Sequence, residues 1–124
     1  MLAFSAALEP LRMANRLADR QLYSWEILAE TMEPVLASSG LSITPDRTVE
    51  DVRDPDMVLV CGGLDIHRNT RKQHLSFLQR AMQRKLPLGA LCTGSYSLAK
   101  AGVLDGYRCT IHWENLASMR EAFP

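Results

Sequence analysis

Two unbroken apolar runs constrain this chain more than any other feature. Met57 to Cys61 closes on Gly62-Gly63, and Leu86 to Cys92 closes on Thr93-Gly94, without the polar alternation of a half-exposed strand. Runs of this length, bounded by small residues, predict strands buried on both faces of a parallel sheet. Between them, from Lys72 to Lys85, Leu75, Leu78 and Met82 recur at helical spacing, widened by Phe77 and Ala81. Gln79, Arg80, Gln83 and Arg84 fall on the other side, as an amphipathic covering helix requires.

The remaining segments extend the alternation. Leu8, Leu11, Ala14 and Leu17 predict a helix over Phe4 to Leu17, in which Pro10 either makes a kink or begins a second part. Trp25 to Ala29 reads as a short strand. The stretch VLASSGLSIT sets Ser39-Gly40 between two β-prone runs, which predicts a hairpin at an edge. Ser95 to Ala101 reads as a helix stopped by Gly102, and Asp105-Gly106 as a turn. Arg108 to Ile111 reads as a strand, and Trp113 to Phe123 as a last helix with Leu116, Met119 and Phe123 on one stripe. Strands and helices in alternation predict an α/β fold, a parallel sheet sandwiched by helices. The chain opens directly in a helix and stops soon after another, so the sheet reads as incomplete.

At 124 residues, 47% of them hydrophobic, the chain can build one core, and residues 1–124 read as a single domain. Fourteen Lys and Arg balance fourteen Asp and Glu, which argues against nucleic-acid binding by this segment. No apolar run approaches the roughly 20 residues needed to cross a bilayer, so no membrane contact is expected. Three cysteines, Cys61, Cys92 and Cys109, with no secretory signal before them, fit the reduced thiols of a cytoplasmic protein. His67 and His74 read as surface residues because neither has a cysteine or second histidine at metal spacing, and no metal or cofactor is expected. Cys61 and Cys109 read as packing residues.

Cys92 has a different context. Ala90-Leu91-Cys92-Thr93-Gly94 follows the small-x-nucleophile-x-small logic of an elbow, a sharp strand-to-helix turn whose crowded apex tolerates only small flanking residues. The free amides of the following helix would favour a thiolate at that apex, or hold a ligand carboxylate. The competing reading is a buried, inert thiol at a tight turn. Gly62-Gly63 ends one strand, Cys92 a second and His112 a third; ligands of open parallel sheets sit beyond such ends. His112 reads equally well as a structural histidine bonding a backbone carbonyl.

The segments EPLRMAN (Glu9 to Asn15), VCGGLD (Val60 to Asp65), GALCTGSYSLAKAGVLDGYRCTIHWE (Gly89 to Glu114) and the closing FP resemble the class I glutamine amidotransferase-like, or PfpI-like, domain. They look most like the N-terminal sensor half of AraC-family regulators. The resemblance implies a flavodoxin-like three-layer sandwich with a mostly parallel sheet, here without the family's first and last strands. It implies a homodimeric, ligand-sensing domain for a small nitrogenous metabolite, an amino acid or quaternary amine. DNA would be bound only through a C-terminal helix-turn-helix domain that is not present in this chain. Carried onto this sequence, the expected ligand-binding residues are Gly62, Gly63, Cys92, Thr93 and His112.

Isocyanide hydratases resemble the chain at the same elbow, and as an enzyme it would use Cys92, Thr93 and His112. Aligning Pro10 with the proline of the enzymes' first helix puts their acidic residue at Ala6, which has no proton to exchange. A shift of a few residues would bring Glu9 into that place, although Glu9 reads better as a solvated helix carboxylate. PfpI-type hydrolases usually carry histidine directly after the cysteine, where this chain has Thr93. A thiolate without its acid or base loses about a hundredfold or more of catalytic assistance, so the expectation is a binding floor with no catalytic residue. A chaperone or purely structural dimerisation role on the same fold stays open, because a fold does not fix a function.

Overall fold

The computed structural model describes residues 1–124. The chain begins with α1, Leu2–Ala18, a single helix that runs straight through Pro10. Pro10 is exposed, so the missing amide and the ring are accommodated on the solvent side. The helix ends where Asp19 turns left-handed at φ 49°. Asn15 then fastens the exit: its side-chain oxygen accepts the Leu22 and Tyr23 amides at 2.7 and 2.8 Å, and its amide nitrogen donates to the Tyr23 carbonyl.

Six short strands follow. The Trp25 to Ala29 expectation reduces to β1, Leu28–Ala29, which pairs in parallel with β4, Arg47–Thr48. Between them lies the expected hairpin, β2 Val35–Leu36 against β3 Ser42–Ile43, with Gly40 at φ 83° in its turn. The second parallel pair is β5, Val58–Cys61, with β6, Leu88–Leu91, in the register Val58 to Leu88 through Cys61 to Leu91. The two parallel pairs stay separate. Helix α2, Ile66–Asn69, and helix α3, Lys72–Gln83, form the crossover from β5 to β6. Helix α4, Ser95–Lys100, follows β6 after a single tight turn and stops at Ala101, with Gly102 at φ 74°.

Three expectations are corrected. First, Arg108 to Ile111 forms no strand; these residues are a connection without regular structure and without a ladder partner. Their β-prone composition is a local preference that becomes a strand only where a neighbour supplies the hydrogen bonds. Second, β5 is not buried on both faces. Val58 and Val60 lean on the core while Leu59 and Cys61 are exposed, because no helix of this chain covers the outer side. Third, Trp113 to Phe123 is divided: a 3-10 turn over Trp113–Asn115 precedes α5, Leu116–Ala122, in which Met119 is buried and Leu116 exposed.

The core gathers Val49, Phe77, Leu78, Leu98 and Ala101, with Val58, Val60, Leu88 and Ala90 of the central strands packed against them. It lies between one face of the β5–β6 pair and the inner stripes of α3 and α4. Leu75, Leu78 and Ala81 follow the expected α3 stripe, whereas Met82 is exposed at its margin. Each fully buried leucine or phenylalanine contributes about 1.5–3 kcal/mol by leaving water. α1 buries no residue at all, despite its apolar side.

Candidate functional site

The elbow forms where the sequence places it. β6 ends at Leu91, Cys92–Gly94 make one 3-10 turn, and α4 starts at Ser95. Cys92 is the apex and is held at φ 57°, in the left-handed region that costs an L-residue about 1–2 kcal/mol. Strain of this kind persists only where the surroundings dictate it. Cys92 is exposed at this turn, which corrects the burial assumed in its packing reading.

The surroundings that dictate it are the two glycine positions beside the apex. A Cβ on Gly62 would overlap the Gly94 nitrogen and the Thr93 side chain; one on Gly94 would overlap the Val60 carbonyl oxygen. The backbones of the β5 end and of the elbow are therefore in direct contact. The Gly62 amide donates to the Leu91 carbonyl at 3.1 Å, and the Thr93 hydroxyl donates to the Gly63 carbonyl at 2.8 Å. The structure thus brings Gly62, Gly63, Cys92 and Thr93 together at one end of the β5–β6 pair. Thr93 is buried, and its hydroxyl is spent on Gly63. Gly63 is open above its Cα, with nothing within 4 Å of where a side chain would begin.

His112 lies at the start of the Trp113–Asn115 turn, half-buried, with Nδ1 3.6 Å from the Glu114 carboxylate and its ring 6.0 Å from that of Trp113. Its segment is tied to the elbow by a residue that spacing did not single out: the Ser95 hydroxyl donates to the Thr110 carbonyl at 2.6 Å. A serine in the first turn after the elbow was the available signal, since short hydroxyls there bond neighbouring backbone. Removing this bond leaves the Thr110 carbonyl without its donor, so Ser95→Ala is expected to loosen the Thr110 to His112 segment from the elbow. Urea unfolding should show a loss of about 1 kcal/mol, the net worth of one such bond; an unchanged midpoint would remove Ser95 from this role.

The other candidates fall elsewhere. Ala6 is exposed on α1. Glu9 is exposed too, and its carboxylate is held by Arg12 through hydrogen bonds of 2.8 to 3.0 Å. Those bonds, more than the charge alone, keep its carboxyl below the ordinary range. Cys61 and Cys109 are both exposed, which corrects their reading as packing residues. Burial around the Cys61 sulfur nonetheless pushes its thiol up, toward the neutral and unreactive form. His67 is a surface residue whose ring meets Tyr96 edge-on at 6.0 Å, and Tyr96 in turn meets Phe123 at 5.3 Å. His74 is only half-exposed and faces Glu30, which corrects its reading as a plain surface residue. No group of three or more His, Cys, Asp or Glu side chains is placed to hold a metal ion. No helix is long and apolar enough to cross a membrane.

Set beside known proteins, the chain matches the model of the DJ-1/PfpI family over residues 7–123. It is 49% identical over its whole length to the HTH-type transcriptional regulator GbdR of Pseudomonas aeruginosa, and spans 34% of that protein. It is 31% identical over 105 residues to an isonitrile hydratase of Pseudomonas putida, covering 84% of this chain and 45% of the enzyme. Among solved structures, an AraC family transcriptional regulator from Pseudomonas putida superposes with a TM-score of 0.82 at 30% identity, over 96% of this chain and 64% of that one. The flavodoxin-like α/β reading therefore holds. A match of this extent, running through a strained elbow braced by paired glycine contacts, makes the chain a member of the DJ-1/PfpI family.

Proposed function

We propose that the chain is the ligand-sensing domain of an AraC-type transcriptional regulator of the cytoplasm. The observation that carries the reading is an elbow with every scaffold contact in place while the nearest α1 carboxylate in sequence, Glu9, is committed to Arg12 at the surface. The 49% identity to a named transcriptional regulator supports it. In this reading Gly62, Gly63, Cys92 and His112 contact the ligand, and buried Thr93 braces the elbow beneath it. The ligand is a small nitrogenous metabolite, an amino acid or a quaternary amine. Its occupancy alters a homodimer, and through it the DNA contacts of a helix-turn-helix domain elsewhere in the full-length protein. Such coupling requires the ligand to bind one arrangement more tightly than the other.

The test is a thermal-melt titration of the full-length protein with a panel of amino acids and betaines. A cognate ligand at a hundred times its Kd stabilises by about 2.7 kcal/mol, several degrees in melting temperature. Consumption of an isocyanide with no metabolite shifting the melt would overturn the reading.

The 31% identity to an isonitrile hydratase favours one second reading, a cysteine-dependent enzyme with Cys92 as nucleophile and Thr93 or His112 assisting. It requires selective alkylation of Cys92 at mildly acidic pH and turnover that disappears in Cys92→Ala. The buried Thr93 hydroxyl, already bonded to Gly63, weighs against Thr93 as a proton carrier.

A further inference from the structure

Glu30 follows directly on β1, yet its carboxylate belongs to α3. Its side chain is only 11% exposed, Oε2 accepts from the Arg71 guanidinium at 3.0 Å, and Oε1 lies 3.4 Å from His74 Nδ1. Arg71 is the N-cap of α3 and His74 sits in its first turn, which carries no acidic residue of its own. Glu30 therefore supplies, from another element, the negative charge that a helix N-terminus favours.

The arrangement contains a conflict over one atom. His74 Nδ1 accepts the Arg71 backbone amide at 3.4 Å, which requires a bare lone pair. Glu30 Oε1 is buried with no hydrogen-bond donor, and Nδ1 is the group facing it. A neutral imidazole with Nδ1 bare satisfies the amide and sets two lone pairs against each other; an imidazolium satisfies the carboxylate and releases the amide. An imidazolium in the first turn of a helix is opposed by the dipole, so the protonated form depends on Glu30.

We propose that Glu30 and His74 form a proton-operated clasp between the end of β1 and the N-terminus of α3, closed when the imidazole carries two protons and slack when it carries one. Arg71 is the other charged group at the junction. On the elements packed against β1 and α3, the charged side chains are engaged elsewhere: Arg47 on β4 with Glu26, and Lys100 on α4 over the Tyr96 ring at 5.9 Å. Thr70, next to Arg71, is buried and shares a 2.7 Å hydrogen bond with Ser97 of α4, so the clasp acts on the layer that carries the elbow. The device operates whether the pocket senses or catalyses.

Hydrogen exchange by mass spectrometry on the full-length protein tests it, comparing wild type with His74→Gln at matched pH. Near pH 6, exchange across residues 27–32 is expected to be about threefold slower in wild type; near pH 8 the two should coincide. In a Glu30→Gln background, His74→Gln should change nothing at either pH. An equal ratio at both pH values, or a ratio that survives Glu30→Gln, overturns the clasp. A measurement on wild type alone guards against misfolded variants: long-range proton–nitrogen spectra at pH 8 should show Nδ1 bare, and a proton on Nδ1 there would also overturn it.

Discussion

Gly94→Ala is expected to cost the domain about 3 kcal/mol, the upper range for forcing a methyl into a packed site. The obstacle is backbone: the new Cβ would overlap the Val60 carbonyl oxygen and press the Gly62 amide at 3.2 Å, so no side-chain rotation relieves it. Either β5 moves away from the elbow, breaking the Gly62 to Leu91 hydrogen bond, or the 3-10 turn unwinds. Urea unfolding should show the midpoint falling accordingly. Gly63→Ala is the control: nothing lies within 4 Å of its Cβ, and its effect should stay within about 0.5 kcal/mol. A Gly94→Ala midpoint indistinguishable from that of Gly63→Ala would mean that the strand and the elbow are not in contact.

Leu78→Ala should be comparably damaging, at about 3 kcal/mol. Leu78 is the most deeply buried large side chain, 2% exposed, packed with Phe77, Leu98 and Ala101 where α3 meets α4. Truncation leaves a cavity that a crossover helix anchored at both ends cannot close. Leu64→Ala, at a side chain 70% exposed, offers the comparison and should be near neutral by the same unfolding assay. Comparable midpoints for the two variants would place the core elsewhere.

Local pattern carried much of this architecture. The α3 stripe, the hairpin around Gly40, the Gly102 stop and the elbow at Cys92 each rest on chemistry within a few residues, and each forms. What stayed hidden depends on partners distant in the chain. Arg108 to Ile111 has strand composition but no ladder to join. Met57 to Cys61 looks fully buried as a string of letters, yet Leu59 and Cys61 face outward because this chain places no helix over them. Glu30 and His74 lie 44 positions apart in the sequence, and neither flanks a recognisable motif, so their pairing is visible only in three dimensions. Ser95 was within reach, since it occupies the first turn after the elbow, but its acceptor is a carbonyl with no sequence signature.

The left-handed backbone at Cys92 does not depend on the thiol it presents. The contortion is enforced by contacts among Val60, Gly62 and Gly94, none of which involves sulfur. Shape and chemistry at the elbow are thus set by separate residues, so exchanging the side chain at position 92 leaves in place every contact that enforces the bend presenting it.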